Sequence, residues 1–215
     1  ISSMREHRKI RVELYVLRSL RIGEGDSFLA FMFSRLLINS LHNFKWVRLY
    51  DSICDAVGYK NTSFQPVDDI IDAYLAWKSW RSLSSKDSLN KLKIDGVLVG
   101  DLVNDSFLRF NRLPTVALND KYLFVIIWQA YRNVRRAKTY FSKSLPILYI
   151  SSYCTYIQHG IPARVALQHG VKVLSLGNSQ EFFKELTLID CYQTRNVDRY
   201  AKDFELLDNQ DTKIA

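Results

Sequence analysis

The chain has 215 residues, of which 47% are hydrophobic and 24% charged, a balance typical of a globular protein that buries a core and not of a disordered one. The formal net charge of +8 favours anionic partners such as acidic lipid or phosphorylated substrates, whereas no zinc-finger or RNA-binding pattern indicates nucleic acid. Its 3 cysteines, Cys54, Cys154 and Cys191, are widely spaced and form no CxxC motif, which argues against a disulfide framework or a zinc site and fits a reducing compartment.

The N-terminal part alternates strand, glycine loop, helix and strand. Residues 12–17 alternate as a strand does, and "RIGEGDS" then interrupts the chain with two glycines. Residues 27–41 have helical periodicity, and residues 45–51 read as the next strand. This order predicts a βαβ unit with a right-handed crossover. The apolar stretch at 28–38 carries Arg35 and is too short to span a bilayer.

The middle of the chain continues the alternation. Apolar residues at three- and four-residue steps predict a helix over 67–83. The segment "DGVLVGD" (95–101) reads as a short strand of the kind buried in a parallel sheet. Residues 102–110 are predicted to be helical and to end before Pro114.

A long helix is predicted over 119–144, capped by Asn119 or Asp120. Its second half carries the densest basic cluster of the chain. We expect this cluster either to be a solvated face or to attract an anionic membrane or a phosphate-bearing substrate. The cluster comprises Arg132, Arg135, Arg136 and Lys138.

Towards the C-terminus the pattern is strand, helix, strand and helix. A strand begins at Pro146, and a helix with its body from Pro162 ends at Gly170. Residues 171–177 form another buried strand, and residues 197–207 a final helix. The whole pattern predicts an α/β fold with a doubly wound, mostly parallel sheet flanked by helices, a Rossmann-like single domain over 1–215.

Ligands of such a sheet bind outside the carboxyl ends of its strands, so the loops after the strands hold the candidate site residues. The first of these loops contains Gly23, Gly25 and Asp26. It is either a tight turn with Asp26 as a helix cap, or a ligand-facing loop in which Gly23 and Gly25 let the backbone approach an anion and Asp26 acts in catalysis. Phe28 breaks a GxGxxG motif. A methyltransferase that uses this loop, with Asp51 as its acidic residue, is an alternative.

The second loop contains Asp101, Asp105 and Arg109, spaced so that all three lie on roughly one face of a helix. One interpretation is a capping Asp101 and a surface ion pair between Asp105 and Arg109. The other makes Asp101 a catalytic carboxylate and assigns Asp105 and Arg109 to substrate binding.

The third loop, residues 151–160, is rich in hydroxyl groups, including that of Tyr156, and contains His159. A histidine at this edge of a sheet is a candidate general base, although it can equally satisfy a backbone carbonyl. The fourth loop offers Asn178 as a ligand for hydroxyl groups. His169 is explained by its place at a helix end. The 4 histidines show no metal-ligand spacing, so we expect no metal site and no resident cofactor, apart from loosely held Mg²⁺ on a phosphate.

Three segments resemble bacterial surface-carbohydrate and capsular-polysaccharide biosynthesis proteins with a GT-B-like glycosyltransferase fold. They are "GVLVGDLVNDSFLR" (96–109), the Trp128-Gln129 pair and "HGIPARVAL" (159–167), and the resemblance extends over roughly 94–177. It implies glycosyl transfer from a nucleotide-sugar to a saccharide or lipid-linked saccharide. The chain would then be the N-terminal, acceptor-side half of a longer two-domain protein, with the donor held mostly by the other half.

The resemblance further implies a cytoplasmic protein, possible peripheral contact with the anionic inner face of a membrane, and no nucleic-acid partner. Two alternatives remain open. One is a non-catalytic scaffold or binding module of a polysaccharide assembly machine. The other is an enzyme similar to nucleotide-sugar epimerases.

Overall fold

The structure, a computed structural model, describes residues 66–151, 153–176 and 184–192. The elements expected at 12–17, 27–41, 45–51 and 197–207 lie outside the described residues. The described elements follow in chain order: α1 (Pro66–Ser82), α2 (Lys86–Asn90), β1 (Lys93–Ile94), β2 (Val97–Leu98), α3 (Gly100–Asn111), α4 (Lys121–Lys143), β3 (Leu148–Ser151), a π-helical turn (Tyr156–Gly160), α5 (Ile161–Gln168), β4 (Lys172–Ser175) and β5 (Lys184–Leu186).

Helix α4 is the centre of the described core, because α1, α3, α5 and the π-helical turn all pack against it. Its apolar residues Leu123, Ile127, Val134 and Phe141 are fully buried. The N-cap of the helix is Asp120, whose carboxylate accepts a hydrogen bond from the Tyr122 N–H at 2.8 Å. This confirms the long helix and selects Asp120 from the two predicted caps.

The segment 95–101 is not the parallel strand that its apolar run predicts. β1 and β2 pair antiparallel, and Asp95 and Gly96 form the turn between them with φ of 48° and 81°. An Asp-Gly pair is strongly preferred in two-residue hairpin turns because both positions require positive φ. The run is apolar because Val97 and Val99 are buried in the core of the described region. Gly100 and Asp101 then belong to the first turn of α3.

The predicted strands at 146–152 and 171–177 are confirmed as β3 and β4, which pair in parallel from Leu148–Lys172 to Ser151–Ser175. β5 adds antiparallel to β4, so this three-stranded sheet is mixed. Within the described ranges the sheets are this one and the β1–β2 hairpin. The doubly wound, mostly parallel sheet and the single domain over 1–215 therefore stay predictions for the chain as a whole.

Helix α5 joins β3 to β4 and has the ends that the sequence predicts. Pro162 lies in its first turn, and Gly170 follows its last with φ of 73°. The Val171 N–H closes the end by donating to the Ala166 carbonyl at 3.0 Å. None of the helices that the structure describes is long and apolar enough to cross a membrane.

Candidate functional site

The π-helical turn packs tightly on α3, and this contact brings the second and third candidate loops together. A Cβ on Gly160 would lie 2.6 Å from a methyl carbon of Leu102 and 2.7 Å from the Cys154 carbonyl oxygen, and because that oxygen belongs to the backbone, the close approach requires glycine. The Ile157 N–H donates to the buried Ser106 hydroxyl at 3.0 Å, and the Asn133 amide of α4 donates to the Ile157 carbonyl at 3.0 Å. Buried polar groups therefore fix the backbone of the turn.

An open groove of about 420 Å³ lies where α3 meets this turn. It contains three of the residues predicted to bind substrate: Asp105, Arg109 and Tyr156. The other lining residues were not predicted from the sequence. The full lining is Asp105, Leu108, Arg109, Arg112, Leu113, Thr155 and Tyr156.

The groove contains charges of both signs that are not tied to one another. The described ion pairs do not include one between Asp105 and Arg109, so the predicted surface pair is not formed. Burial, with the nearby Asp101 charge, raises the pKa of Asp105 above its usual value. Arg112 follows the helix in the left-handed region, with φ of 51°. Asp105 and Arg109 thus both line the groove without pairing with each other.

Asp101 is held by Arg164 of α5 in a bidentate pair. The two guanidinium nitrogens donate to its carboxylate oxygens at 2.7 and 2.6 Å, and one of them also donates to the Leu98 carbonyl at 2.7 Å. The Tyr192 ring covers the guanidinium, with its centroid 5.4 Å from the guanidinium carbon. This arrangement ties α3, the hairpin and α5 together.

The same pair sets the ionisation of Asp101. Burial alone would raise the pKa of Asp101, but the hydrogen bonds and the charge of Arg164 outweigh it and hold that pKa below its usual value. A carboxylate stabilised in its ionised form is a weak proton acceptor. The geometry therefore favours a structural role for Asp101 over the predicted catalytic one.

His159 lies on the π-helical turn, three residues after Tyr156 in the sequence, and its side chain is accessible to solvent. Its ring centroid is 5.8 Å from that of Tyr153. Partial desolvation lowers the pKa of His159 below 6.5, so the imidazole is mainly neutral at pH 7. A neutral, accessible imidazole is suited to accept a proton. Of the two predicted catalytic residues that the structure describes, Asp101 and His159, His159 is therefore the one whose state fits a base.

The remaining predicted site residues lie outside the described residues: Gly23, Gly25 and Asp26 in the first loop, and Asn178 in the fourth. The expectation that Gly23, Asp101 and His159 surround one groove stays a prediction for that reason. Asp101 and His159 are on elements that pack directly against each other. Within the described ranges, no cluster of three or more His, Cys, Asp or Glu residues is arranged to hold a metal ion.

The pairing of Arg164 with Asp101 was not predicted from the sequence. Its signal was present in "IPARVAL", where one cation lies within an apolar helix beside a small-residue turn. A cation in such a place is buried only with a charge partner, and the side chain of Arg164 is only 5% exposed. The identity of that partner depends on the packing of α3 against α5, which the local sequence does not specify.

Comparison with known proteins adds no family to this description. No family model matches the chain, and the searches of curated proteins and of solved structures found no significant match. The groove and its chemistry are therefore the basis for a function.

Proposed function

We propose that the chain is the acceptor-binding part of a glycosyltransferase and that the groove between α3 and the π-helical turn receives a saccharide. The observation that supports this most directly is the shared lining of the groove by Asp105, Arg109 and Tyr156. Asp105 and Arg109 belong to the segment 96–109 that resembles surface-carbohydrate biosynthesis proteins, and Tyr156 lies three residues before the resembling segment 159–167. The packing of Gly160 on Leu102 joins the two regions.

The chemistry of the lining suits a sugar. Carboxylate, guanidinium and hydroxyl groups can form hydrogen bonds with ring hydroxyls, and they are supplied by Asp105, Arg109, Thr155 and Tyr156. Leu108 and Leu113 add apolar surface for the C–H faces of a sugar ring. The groove is open, so a longer saccharide can extend from it into solvent.

His159 is the proposed general base. In an inverting transfer the acceptor hydroxyl oxygen forms the new bond to the anomeric carbon, while the bond from that carbon to the nucleotide phosphate breaks. The proton of the hydroxyl moves to the base. The lowered pKa of His159 keeps its imidazole neutral and able to take this proton near pH 7. The nucleotide-sugar donor is assigned to parts of the protein other than this groove.

Isothermal calorimetry of the full 215-residue chain against oligosaccharides and nucleotide-sugars tests the binding step. Arg109→Gln and Tyr156→Phe should each weaken saccharide binding about tenfold, the loss expected for one or two hydrogen bonds in a groove. Lys143→Gln, an exposed substitution on α4, is the matched control and should leave binding unchanged. Tight binding of a nucleotide-sugar that these variants do not affect would instead favour an enzyme similar to nucleotide-sugar epimerases.

A second candidate, a non-catalytic saccharide-binding module, is favoured by the commitment of Asp101 to Arg164. His159→Gln separates the two candidates. If the chain takes part in glycosyl transfer, this variant should bind saccharide normally and lose transfer activity in the presence of donor. If the chain is a binding module, the variant should still bind saccharide, and the transfer activity of the full polysaccharide assembly complex should be unchanged.

A further inference from the structure

Helix α1 exposes a stripe of large apolar side chains, although its Trp80 packs on the core of the described region. Five of them project from one side of its first three turns, because they recur at three- and four-residue steps. Half or more of each of these side chains is accessible to solvent. They are Val67 (68% exposed), Ile70 (71%), Ile71 (52%), Tyr74 (62%) and Trp77 (50%). An amphipathic surface helix normally turns such a stripe towards the core.

The opposite face of α1 packs against α4 and carries the aspartates of the helix together with Ala76 and Trp80. Asp69 pairs with Arg132 at 2.9 Å, and Asp72 and Asp68 both pair with Arg135. The Asp69–Arg132 pair and the Asp72 carboxylate are shielded from solvent, whereas the side chains of Asp68 and Arg135 are 36% and 32% exposed. A rotation of α1 that buried its apolar stripe would break these pairs. The exposure of the stripe is therefore a property of the packing.

The exposed face also carries cations. Lys78 and Arg81 lie one to two turns after Tyr74 on the same side of α1, and both are exposed. The acidic residues of α1 are Asp68, Asp69 and Asp72, and all three face α4. The outward face of α1 thus combines aliphatic, aromatic and basic residues without a carboxylate. We call it the α1 face.

We propose that the α1 face docks on an anionic phospholipid bilayer, a function beyond saccharide binding in the groove. Trp and Tyr side chains prefer the level of the headgroups, and aliphatic side chains enter the acyl boundary below it. Lys78 and Arg81 supply the attraction to anionic headgroups. The rings of Tyr74 and Trp77 lie side by side, with centroids 6.5 Å apart, in the middle of this face.

Charge favours a bilayer over two other occupants. Residues 1–65 of this chain carry 10 Lys and Arg against 6 Asp and Glu, so they offer no net charge complement to Lys78 and Arg81. A second copy of the chain would bring the same cations and no outward-facing carboxylate of α1. An anionic membrane complements both the apolar and the basic parts of the face.

Co-sedimentation of the full chain with vesicles tests the docking. The chain should bind vesicles of phosphatidylcholine with phosphatidylglycerol and should bind pure phosphatidylcholine much more weakly. The pair Ile70→Ser and Trp77→Ser should reduce binding at least about tenfold, because it removes two large apolar side chains from the interface. Lys78→Gln and Arg81→Gln should each reduce it about fivefold.

The matched control is the pair Leu188→Ser and Ile189→Ser. These residues are 63% and 97% exposed but lie beyond β5 and not on α1, so binding should be unchanged. Far-UV circular dichroism checks that each variant is folded. Equal binding by the α1 variants and the parent chain would overturn the proposal, as would equal binding to both kinds of vesicle.

Labelling of Ile70→Cys with a maleimide, compared with the parent chain, distinguishes the occupants. Rapid labelling in solution that vesicles suppress supports the bilayer. Slow labelling without vesicles overturns the proposal, because the face is then already covered. Sedimentation equilibrium would then show what covers the face: a dimeric chain would indicate a second copy, and a monomeric chain would indicate residues 1–65. None of these results bears on the saccharide groove.

Discussion

Replacing Asp101 by Asn should destabilise the fold, because it leaves the Arg164 guanidinium buried with half of its partner gone. Asn can accept one hydrogen bond through its amide oxygen, but the second guanidinium nitrogen would face an amide N–H. The side chains of Arg164 and Asp101 are 5% and 20% exposed, so water compensates little. Breaking a fully buried pair costs about 3–5 kcal/mol. Because Asn retains one acceptor and the Leu98 carbonyl still accepts from Arg164, we expect Asp101→Asn to lower the free energy of unfolding by about 2 kcal/mol.

Asp72→Asn is the internal comparison, since Asp72 also pairs with an arginine. Burial raises the pKa of Asp72 despite Arg135, and the charges of Asp69 and Asp68 add to that rise. Its ionised form is therefore disfavoured in the fold, whereas that of Asp101 is favoured. Because Asn imitates the neutral acid, Asp72→Asn should cost less than about 0.5 kcal/mol or stabilise slightly.

Urea unfolding at pH 7, followed by circular dichroism, measures both variants against the parent chain. A double variant, Asp101→Leu with Arg164→Met, should recover at least about 1 kcal/mol relative to Asp101→Asn, because neither charge then remains buried. If Asp101→Asn costs no more than Asp72→Asn, the Asp101 carboxylate does not stabilise the buried Arg164 guanidinium, and its structural role is refuted.

The pH dependence of this pair has a definite sign. The folded-state pKa of Asp101 lies below its ordinary value of 3.8. Its contribution to stability is therefore fully present above about pH 3.8 and is lost as the pH falls through the lower, folded-state pKa. The difference in unfolding free energy between the parent chain and Asp101→Asn should shrink across that acidic window and stay constant from about pH 5 to 7.

Gly100→Ala should lower the free energy of unfolding by about 3 kcal/mol or prevent folding, because the new Cβ would lie 1.8 Å from the Leu89 carbonyl oxygen. Gly170→Ala should lower it by only about 1 kcal/mol, because Gly170 has a φ of +73° but no atom within 4 Å of the new Cβ. Thermal unfolding compares the two variants. Asp120→Ala should cost about 1 kcal/mol in the same assay through loss of the cap of α4. The pKa of His159, measured by NMR titration, should lie below 6.5. Because the fold disfavours the protonated imidazole, the free energy of unfolding should rise with pH between that pKa and 6.5. A measured pKa above 6.5 would contradict the desolvation of His159 in the fold.

The elements that the sequence predicts well are those with a strong local signal. α4 has apolar residues throughout and an Asp cap, and its predicted span of 119–144 agrees closely with Lys121–Lys143. The strand–helix–strand unit from 146 to 177 carries Pro162 and Gly170 at the helix ends, and β3 and β4 pair in parallel as predicted. In each case periodicity and the residues at the ends indicate the same structure.

The hairpin shows how a short apolar run misleads. The run from Val97 to Val99 is as apolar as a buried parallel strand, and its length does not distinguish a parallel strand from one strand of a hairpin. The deciding signal is Asp95-Gly96, a two-residue turn pair flanked by apolar residues. Because the strand ends at Leu98, Asp101 lies in the first turn of α3 and not at the predicted strand end, and there it pairs with Arg164.

The site was predictable in part, for a comparable reason. Asp105 and Arg109 share a face of α3 because helical spacing places them there, and both line the groove. The contribution of Thr155 and Tyr156 depends on the π-helical turn. Its tight packing requires Gly160, and Tyr156 adopts a φ of 61°, which a tyrosine rarely does. No local pattern specifies this, because the turn is fixed by buried groups of α3 and α4.

The apolar stripe of α1 is the case in which periodicity predicts the helix but not its orientation. Three carboxylates on the other side of α1 pair with Arg132 and Arg135, and turning the stripe towards α4 would break these pairs. Arg132 and Arg135 are thereby largely committed to α1 and do not form the solvated basic face that the sequence suggested. The cations left for an anionic surface include Lys78 and Arg81.

Helix α4 links the two proposed surfaces mechanically. Its Arg132 and Arg135 orient α1, and Asn133, between them in sequence, holds the π-helical turn through the Ile157 carbonyl. Because these three side chains project from one 23-residue helix, the orientations of the α1 face and the groove are set by the same rigid element. If the α1 face docks on a bilayer, the groove is held in a fixed relation to the membrane surface. That relation suits an acceptor attached to a lipid better than one free in solution, so lipid-linked saccharides are the first ligands to compare with free ones on vesicle-bound protein.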